Sequence, residues 1–331
     1  MRHYALVALA ALTTIAAAAV PVEAQAGRDR DDRDDDRAGR EIADRIDTTL
    51  ALSRGGTVDL SLISGEIIVN GWTRNDVQLH ASTEEGELQL DASPSRISLE
   101  VEDVDGDIGD TWFEISVPRG TRVLMGAVSG DITATDIAGE VEASSVSGEV
   151  QVAGAADRVT AGSVSGGVRV VRVTSASGAA TAGSVRANSV SGDVWVEDAA
   201  GSVETGSVSG DITLRGIRSG SVRAKTVSGD VEYDGTFEAS GRYEFGSHSG
   251  DILLAVPQGA GALLTLETFS GEIDSDFPLT IQPGDEGGGA HRRKHGFQFT
   301  LGNGGARIDV ETFSGDIHLM RRGSGTGSNG R

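Results

Sequence analysis

Nine serines recur in one setting, Ser-Gly, then Asp or Glu, then Ile or Val, beginning at Ser64, Ser129, Ser147, Ser191, Ser209, Ser228, Ser249, Ser270 and Ser314. A serine nucleophile works beside one distinctive base that takes its proton, and nine equivalent serines are the opposite of such a site. We read them as corner residues whose hydroxyls bond the backbone, and no residue is assigned as catalytic. The carboxylates that follow, Asp131, Glu149, Asp193, Asp211, Asp230, Asp251 and Glu272, form a second periodic set, interrupted at Gly167. Calcium-binding nonapeptide repeats need Gly-Gly-x-Gly-x-Asp, so that successive backbone carbonyls converge on the ion. This chain usually has one glycine per unit and no second Asp, so the acidic row is read as solvated turn residues, with no metal or cofactor.

Outside the repeat, His291 and His295 are four apart and would converge only on a helix, which the surrounding glycines discourage, so they make no zinc site. Between them Arg292, Arg293 and Lys294 form the concentrated basic patch of an acidic chain, a candidate binding site for an anionic partner. The bland reading is that these charges only keep a loop solvated. Trp195, in Gly192-Asp193-Val194-Trp195-Val196-Glu197, alternates with two valines. If the valines point inward the indole points outward, as a contact residue or as an aromatic covering the neighbouring coil. The competing function is a carbohydrate-active β-helix enzyme, a polysaccharide lyase or hydrolase, which would need a non-repeated cluster of acidic, basic and aromatic residues in one groove. Only repeated positions are found.

The elements that must position these residues are set by the same repeat. The glycines Gly130, Gly148 and Gly166 are 18 apart, as are Gly192 and Gly210, and Gly229, Gly250 and Gly271 follow at 19, 21 and 21. Weaker half-repeats at Gly139-Glu140-Val141, Gly201-Ser202-Val203, Gly220-Ser221-Val222 and Gly241-Arg242-Tyr243 add a second strand per coil. Period-two alternation, as in Glu140-Val141-Glu142-Ala143, describes a strand with one wet face. Such strands are too short to fold alone, but coils stacked about 4.8 Å apart pair each with its equivalents and bury a narrow column of Val, Ile and Ala. The expected fold is all-β: a single-stranded β-solenoid or β-helix of about 18–21 residues per coil. Gly130, Gly148, Gly192, Gly210, Gly229, Gly250, Gly271 and Gly315 are the structural turn residues, expected to supply the positive φ of a tight corner.

The ends depart from this regularity. Residues 1–26 read as a signal peptide: Arg2 precedes an alanine-rich apolar stretch that ends at Ala24-Gln25-Ala26. Residues 27–47, where Arg alternates with Asp runs, read as a disordered charged leader, with a helix conceivable at 41–46. Longer strands at 48–125 suggest an N-terminal β cap and first coils, and 126–276 the regular solenoid. A 26-residue step from Gly166 to Gly192 implies an insertion. The 44-residue gap from Gly271 to Gly315 implies a hairpin of strands at 277–281 and 297–301, so 277–320 is read as a hairpin insertion and C-terminal coil, and 321–331 as a flexible tail.

Net charge is -22, which disfavours nucleic acid and anionic lipid as partners. There is no cysteine, hence neither a disulfide framework nor lipid attachment through an N-terminal Cys. No segment after the leader is apolar enough to span a membrane. An exported protein of periplasm, cell surface or medium is expected. Its partners are read as envelope polysaccharide or surface protein.

The repeated Ser-Gly-Asp-Ile, with Leu266-Glu267-Thr268-Phe269-Ser270-Gly271-Glu272-Ile273 and Val310-Glu311-Thr312-Phe313-Ser314-Gly315-Asp316-Ile317-His318-Leu319, resembles a bacterial family called putative adhesins. The resemblance covers roughly residues 48 to 320. It implies an exported or membrane-tethered β-solenoid without catalytic residues, acting as a binding or scaffold surface at the cell envelope.

Overall fold

The computed structural model describes residues 43–102, 109–154, 157–173, 183–278 and 296–322, and no described residue is helical. Six strands come first: β1 (Asp44–Ala51), β2 (Thr57–Trp72), β3 (Asp76–Thr83), β4 (Glu87–Ala92), β5 (Arg96–Glu102) and β6 (Thr111–Pro118). The repeats follow as β7 (Arg122–Thr135), β8 (Glu140–Ser145), β9 (Val150–Ala153), β10 (Arg158–Ser163), β11 (Val168–Val171), β12 (Ser184–Ser189), β13 (Val194–Glu197), β14 (Val203–Gly206), β15 (Ile212–Lys225), β16 (Val231–Ser247) and β17 (Ile252–Val256). Last come β18 (Ala262–Thr268), β19 (Ile273–Ser275), β20 (Gly296–Leu301), β21 (Ala306–Thr312) and β22 (Ile317–Arg321).

Each coil gives one strand to each of two parallel ladders that meet at the Ser-Gly-Asp corner. Before the corner Val141, Val159, Val185 and Val203 stand in register on β8, β10, β12 and β14. After it Val150, Val168, Val194 and Ile212 do the same on β9, β11, β13 and β15. These side chains are buried, each contributing about 1.5–3 kcal/mol. The long step between β10 and β12 leaves both ladders unbroken, since its extra residues fall at 174–182, outside the described ones. The core is narrow only in the middle. Tyr233, Phe237, Tyr243 and Phe245 form an aromatic cluster with centroids 4.9–6.2 Å apart.

Stacking order departs from chain order at both ends. β2 lies between the β5/β6 coil and β7, pairing in parallel with all three. At the other end the β21/β22 coil is inserted between β16/β17 and β18/β19. The chain runs one level past the position, then returns to fill it. Antiparallel strands close the stack: β3 on β6, β1 on β3 and β4 on β5 at one end, and β20 on β18 at the other. Such caps cover parallel edges that would otherwise template aggregation.

Three sequence expectations change. The leader gives way to strand earlier than residue 47, because β1 begins at Asp44 and pairs with β3 from there, leaving no helix at 44–46. Phe277 and Pro278 are not strand, residues 279–281 lie outside the described ones, and β20 lies antiparallel along β18, where it shields the last level. Arg321 closes β22 rather than opening a tail, and Arg322 pairs with Asp234 at 2.8 Å.

Candidate functional site

The repeated corner places every motif residue in a vertical column. The glycine column is set by close approach and not by positive φ, which among these glycines none adopts, Gly65 of the first motif excepted. A Cβ on Gly148 would lie 2.0 Å from the carbonyl oxygen of Gly130, and on Gly210 2.1 Å from that of Gly192. The same contact recurs at Gly192, Gly229, Gly250, Gly271 and Gly315, at 2.0–2.2 Å, and more loosely at Gly130, 2.7 Å. The left-handed residues occupy the second corner instead, where Asp136, Gly154, Arg172, Asp198 and Gly216 have φ of 52–70°.

The hydroxyl column also lies elsewhere than expected. From Ser147 onward, the side chains that bond corner carbonyls belong to the inward residue two places before the motif serine. Ser145 donates to Gly130 O, Ser163 to Gly148 O, Ser189 to Gly166 O, Ser207 to Gly192 O, Thr226 to Gly210 O and Ser247 to Gly229 O, at 2.8–3.1 Å. Thr312 and Thr268 continue the set at 3.1 and 3.2 Å. Motif serines contribute main-chain N–H groups: Ser147 N donates to Val128 O and Ser165 N to Val146 O, both at 2.8 Å. The sequence carried the signal, because Ser or Thr stands at each of those buried positions.

The acidic column is more than solvated. Asp131 Oδ1 accepts from Glu149 N, Asp193 from Asp211 N, Asp211 from Asp230 N, Asp230 from Asp251 N, Asp251 from Asp316 N and Asp316 from Glu272 N, all at 2.8–2.9 Å. Each carboxylate thus satisfies the backbone of the next coil while its second oxygen stays available to solvent or a partner. Asp251, Asp316 and His318 bring ligand-type atoms within 4.8 Å of one another. Two of those carboxylates are already engaged in this ladder.

Immediately before the motif serines runs an exposed apolar column that the sequence reading passed over. Val128, Val146, Val190, Val208 and Val227 are 42–47% exposed, and Val164 is half-buried in the same line. Serine-to-carbonyl bonds fix their register, continuing through His248, Phe313 and Phe269. Those last three rings stack in parallel, with centroids 4.8 Å apart at each step and Phe269 70% exposed.

Trp195 is half-buried, its ring between the guanidiniums of Arg169 and Arg215 at 5.0 and 4.8 Å. Its indole N–H donates to Glu197 at 3.2 Å. Arg292, Arg293 and Lys294 lie outside the described residues, as do His291 and His295. The outer face of the first ladder carries exposed ion pairs, Arg122–Glu140–Arg158 at 3.4 and 3.5 Å, Arg186–Glu204 at 2.7 Å and Arg223–Glu244 at 2.7 Å, each worth at most about 1 kcal/mol. Two shallow grooves open there, of 650 Å³ beside Arg158 and Arg186 and of 370 Å³ beside Arg242 and Arg307.

Together these features define a class: a parallel two-ladder β stack with antiparallel caps and a repeated corner, a β-solenoid-like protein. The chain belongs to the Toastrack DUF4097 family, which matches residues 110–320. A search of the curated proteins finds no match. Among solved structures the chain is similar to a putative adhesin from Bacteroides fragilis (12% identity, 84% of this chain and 98% of that one, TM-score 0.38). It is also similar to a putative cell adhesion protein from Clostridium sporogenes (8% identity, 84% and 100%, TM-score 0.25). A putative adhesin from Parabacteroides distasonis gives 7% identity over 83% and 97%, with TM-score 0.32.

Proposed function

We propose that the chain is a non-enzymatic exported protein that serves as a binding or scaffold surface at the bacterial cell envelope. The observation that carries this reading is the repetition of its surface chemistry. Serine, carboxylate and apolar side chains all run in columns from coil to coil, so the molecule offers an extended array in place of one reacting centre. Catalysis requires groups made different by their surroundings.

The apolar stretch before Ala26 supports export, and residues 292–294 remain a proposed contact for anionic polymer. No described helix is long and apolar enough to cross a membrane. The test is fractionation of cells producing the chain, followed by sedimentation of the purified protein with isolated envelopes. We expect envelope or medium localisation, an N-terminus near Gly27 and saturable co-sedimentation. Retention in the cytoplasm with Met1 intact, or scission of envelope polysaccharide by the pure protein, would overturn the reading.

A further inference from the structure

We infer that the exposed apolar column at the Ser-Gly-Asp corner, together with the carboxylate column beside it, is a docking surface for a cationic amphipathic polypeptide. This rests on the binding-surface reading above and names the partner's chemistry. The valines are no leftover of core packing, because the residue on each side of the apolar column is accounted for. From Val146 onward the preceding Ser or Thr turns inward to bond a corner carbonyl, Ala127 before Val128 is buried in the core, and the motif serine N–H closes the ladder. A side chain between them must point outward, and any polar residue would fit there at no cost in burial. Six valines from Val128 to Val227, then the stacked rings of His248, Phe313 and Phe269, form one line over nine levels that is apolar at every level but that of His248. Continuous exposed apolar surface of this kind marks an interaction site.

The occupant follows from what flanks the line. Three residues further on stands a carboxylate in every repeat except the one with Gly167, exposed at Asp193, Asp211 and Asp230 among others. Among the described residues, the ion pairs of the outer faces draw on other acids, such as Glu140, Glu204 and Glu244. Stacked like charges repel one another, and a row of cations laid along them would relieve that repulsion. A second copy of the chain would instead bring two acidic columns together on molecules of charge -22. Addition of a β-strand is excluded by the backbone, since the carbonyls of Val128 and Val146 at this corner already accept from the next coil. The partner must therefore be read through side chains, with an apolar stripe beside a basic one. Nine levels about 4.8 Å apart span about 40 Å, which a helix of about 25 residues covers.

The probe is a labelled Leu/Lys amphipathic helical peptide of about that length, with a Leu/Glu peptide of the same apolar pattern as control. It is titrated against the exported form of the chain. Two variants are compared: V146T/V190T/V208T/V227T, which keeps shape at half-solvated positions, and D193N/D211N/D230N, which keeps each side-chain oxygen as acceptor for the next coil. Expected are saturable binding of the Leu/Lys peptide, a loss of about tenfold or more in affinity with the threonine set, and with the asparagine set a weaker affinity whose salt dependence is flattened. Circular dichroism and melting of both variants should match the parent. Unchanged affinity in the threonine set would mean adsorption by charge alone and would overturn the inference, as would preference for the Leu/Glu peptide. Self-association abolished by the threonine set would assign the column to a second copy instead. Loss of binding to envelope polysaccharide in that set, with the peptide indifferent, would assign it to glycan. If peptide binding fails while the chain still sediments with envelopes, this inference falls and the function proposed above stands.

Discussion

The corner shows how little of a residue's role its type alone conveys. Three neighbours in each repeat, as in Ser207-Val208-Ser209, include two serines with opposite fates. Ser207 is buried and donates to Gly192 O, whereas Ser209 uses only its main-chain N–H in the ladder. Ser207→Ala should therefore cost about 1–3 kcal/mol by leaving a buried carbonyl short of a donor, while Ser209→Ala should be nearly neutral. Gly210→Ala should exceed both, at about 3 kcal/mol or more, because even a methyl group meets the carbonyl of Gly192 at 2.1 Å. Urea unfolding of the three variants decides, and equal losses from the two serines would remove the buried hydroxyl column from the account. Tyr233 and Tyr243 supply a residue-scale pH test. Burial raises both phenols above the ordinary value of 10.0, and neighbouring Tyr243 adds to the rise at Tyr233. The unfolded chain releases these protons first, so their contribution to stability is complete below pH 10.0 and is lost as pH rises above it. Phenolate absorbance from the folded chain without residues 1–26, and so without Tyr4, should stay flat until it rises together with loss of β-sheet circular dichroism. An independent earlier titration of either phenol would contradict the burial.

At the scale of elements, the returning coils make a prediction that a simple stack would not. β21 pairs on one side with β16 and on the other with β18, so the last coil in sequence holds an internal level. Deleting residues from 302 onward removes that level and leaves β18 and β19 without their parallel partners. We expect limited proteolysis of the truncated chain to digest back to the region of Val256, stripping two coils where a stack in chain order would lose one. A truncated protein still protected through Ser275 would show that β18 can re-pair directly with β16.

For the whole molecule, the governing quantity is charge aligned along the stack. The net charge of -22 and the vertical carboxylates both favour screening, so the melting temperature should rise with added sodium chloride. Calcium at matched ionic strength should add little, since the inner oxygens of Asp193, Asp211, Asp230 and Asp251 are occupied by backbone N–H groups. A cooperative folding transition at micromolar calcium would place the chain among calcium-dependent repeats instead. The sequence by itself determined the β character, the coil length and which side chains face inward, because these follow from local alternation and from a glycine recurring at fixed spacing. It also displayed the Val128-to-Val227 column, but not its meaning, since outward direction at a corner depends on how the turn is closed by the next coil. Only the tertiary structure decided why the glycines are needed, which hydroxyls are buried and in what order the terminal coils stack. Each of these is a relation between residues 15 to 65 apart, and local pattern carries no information about which coil lies above which.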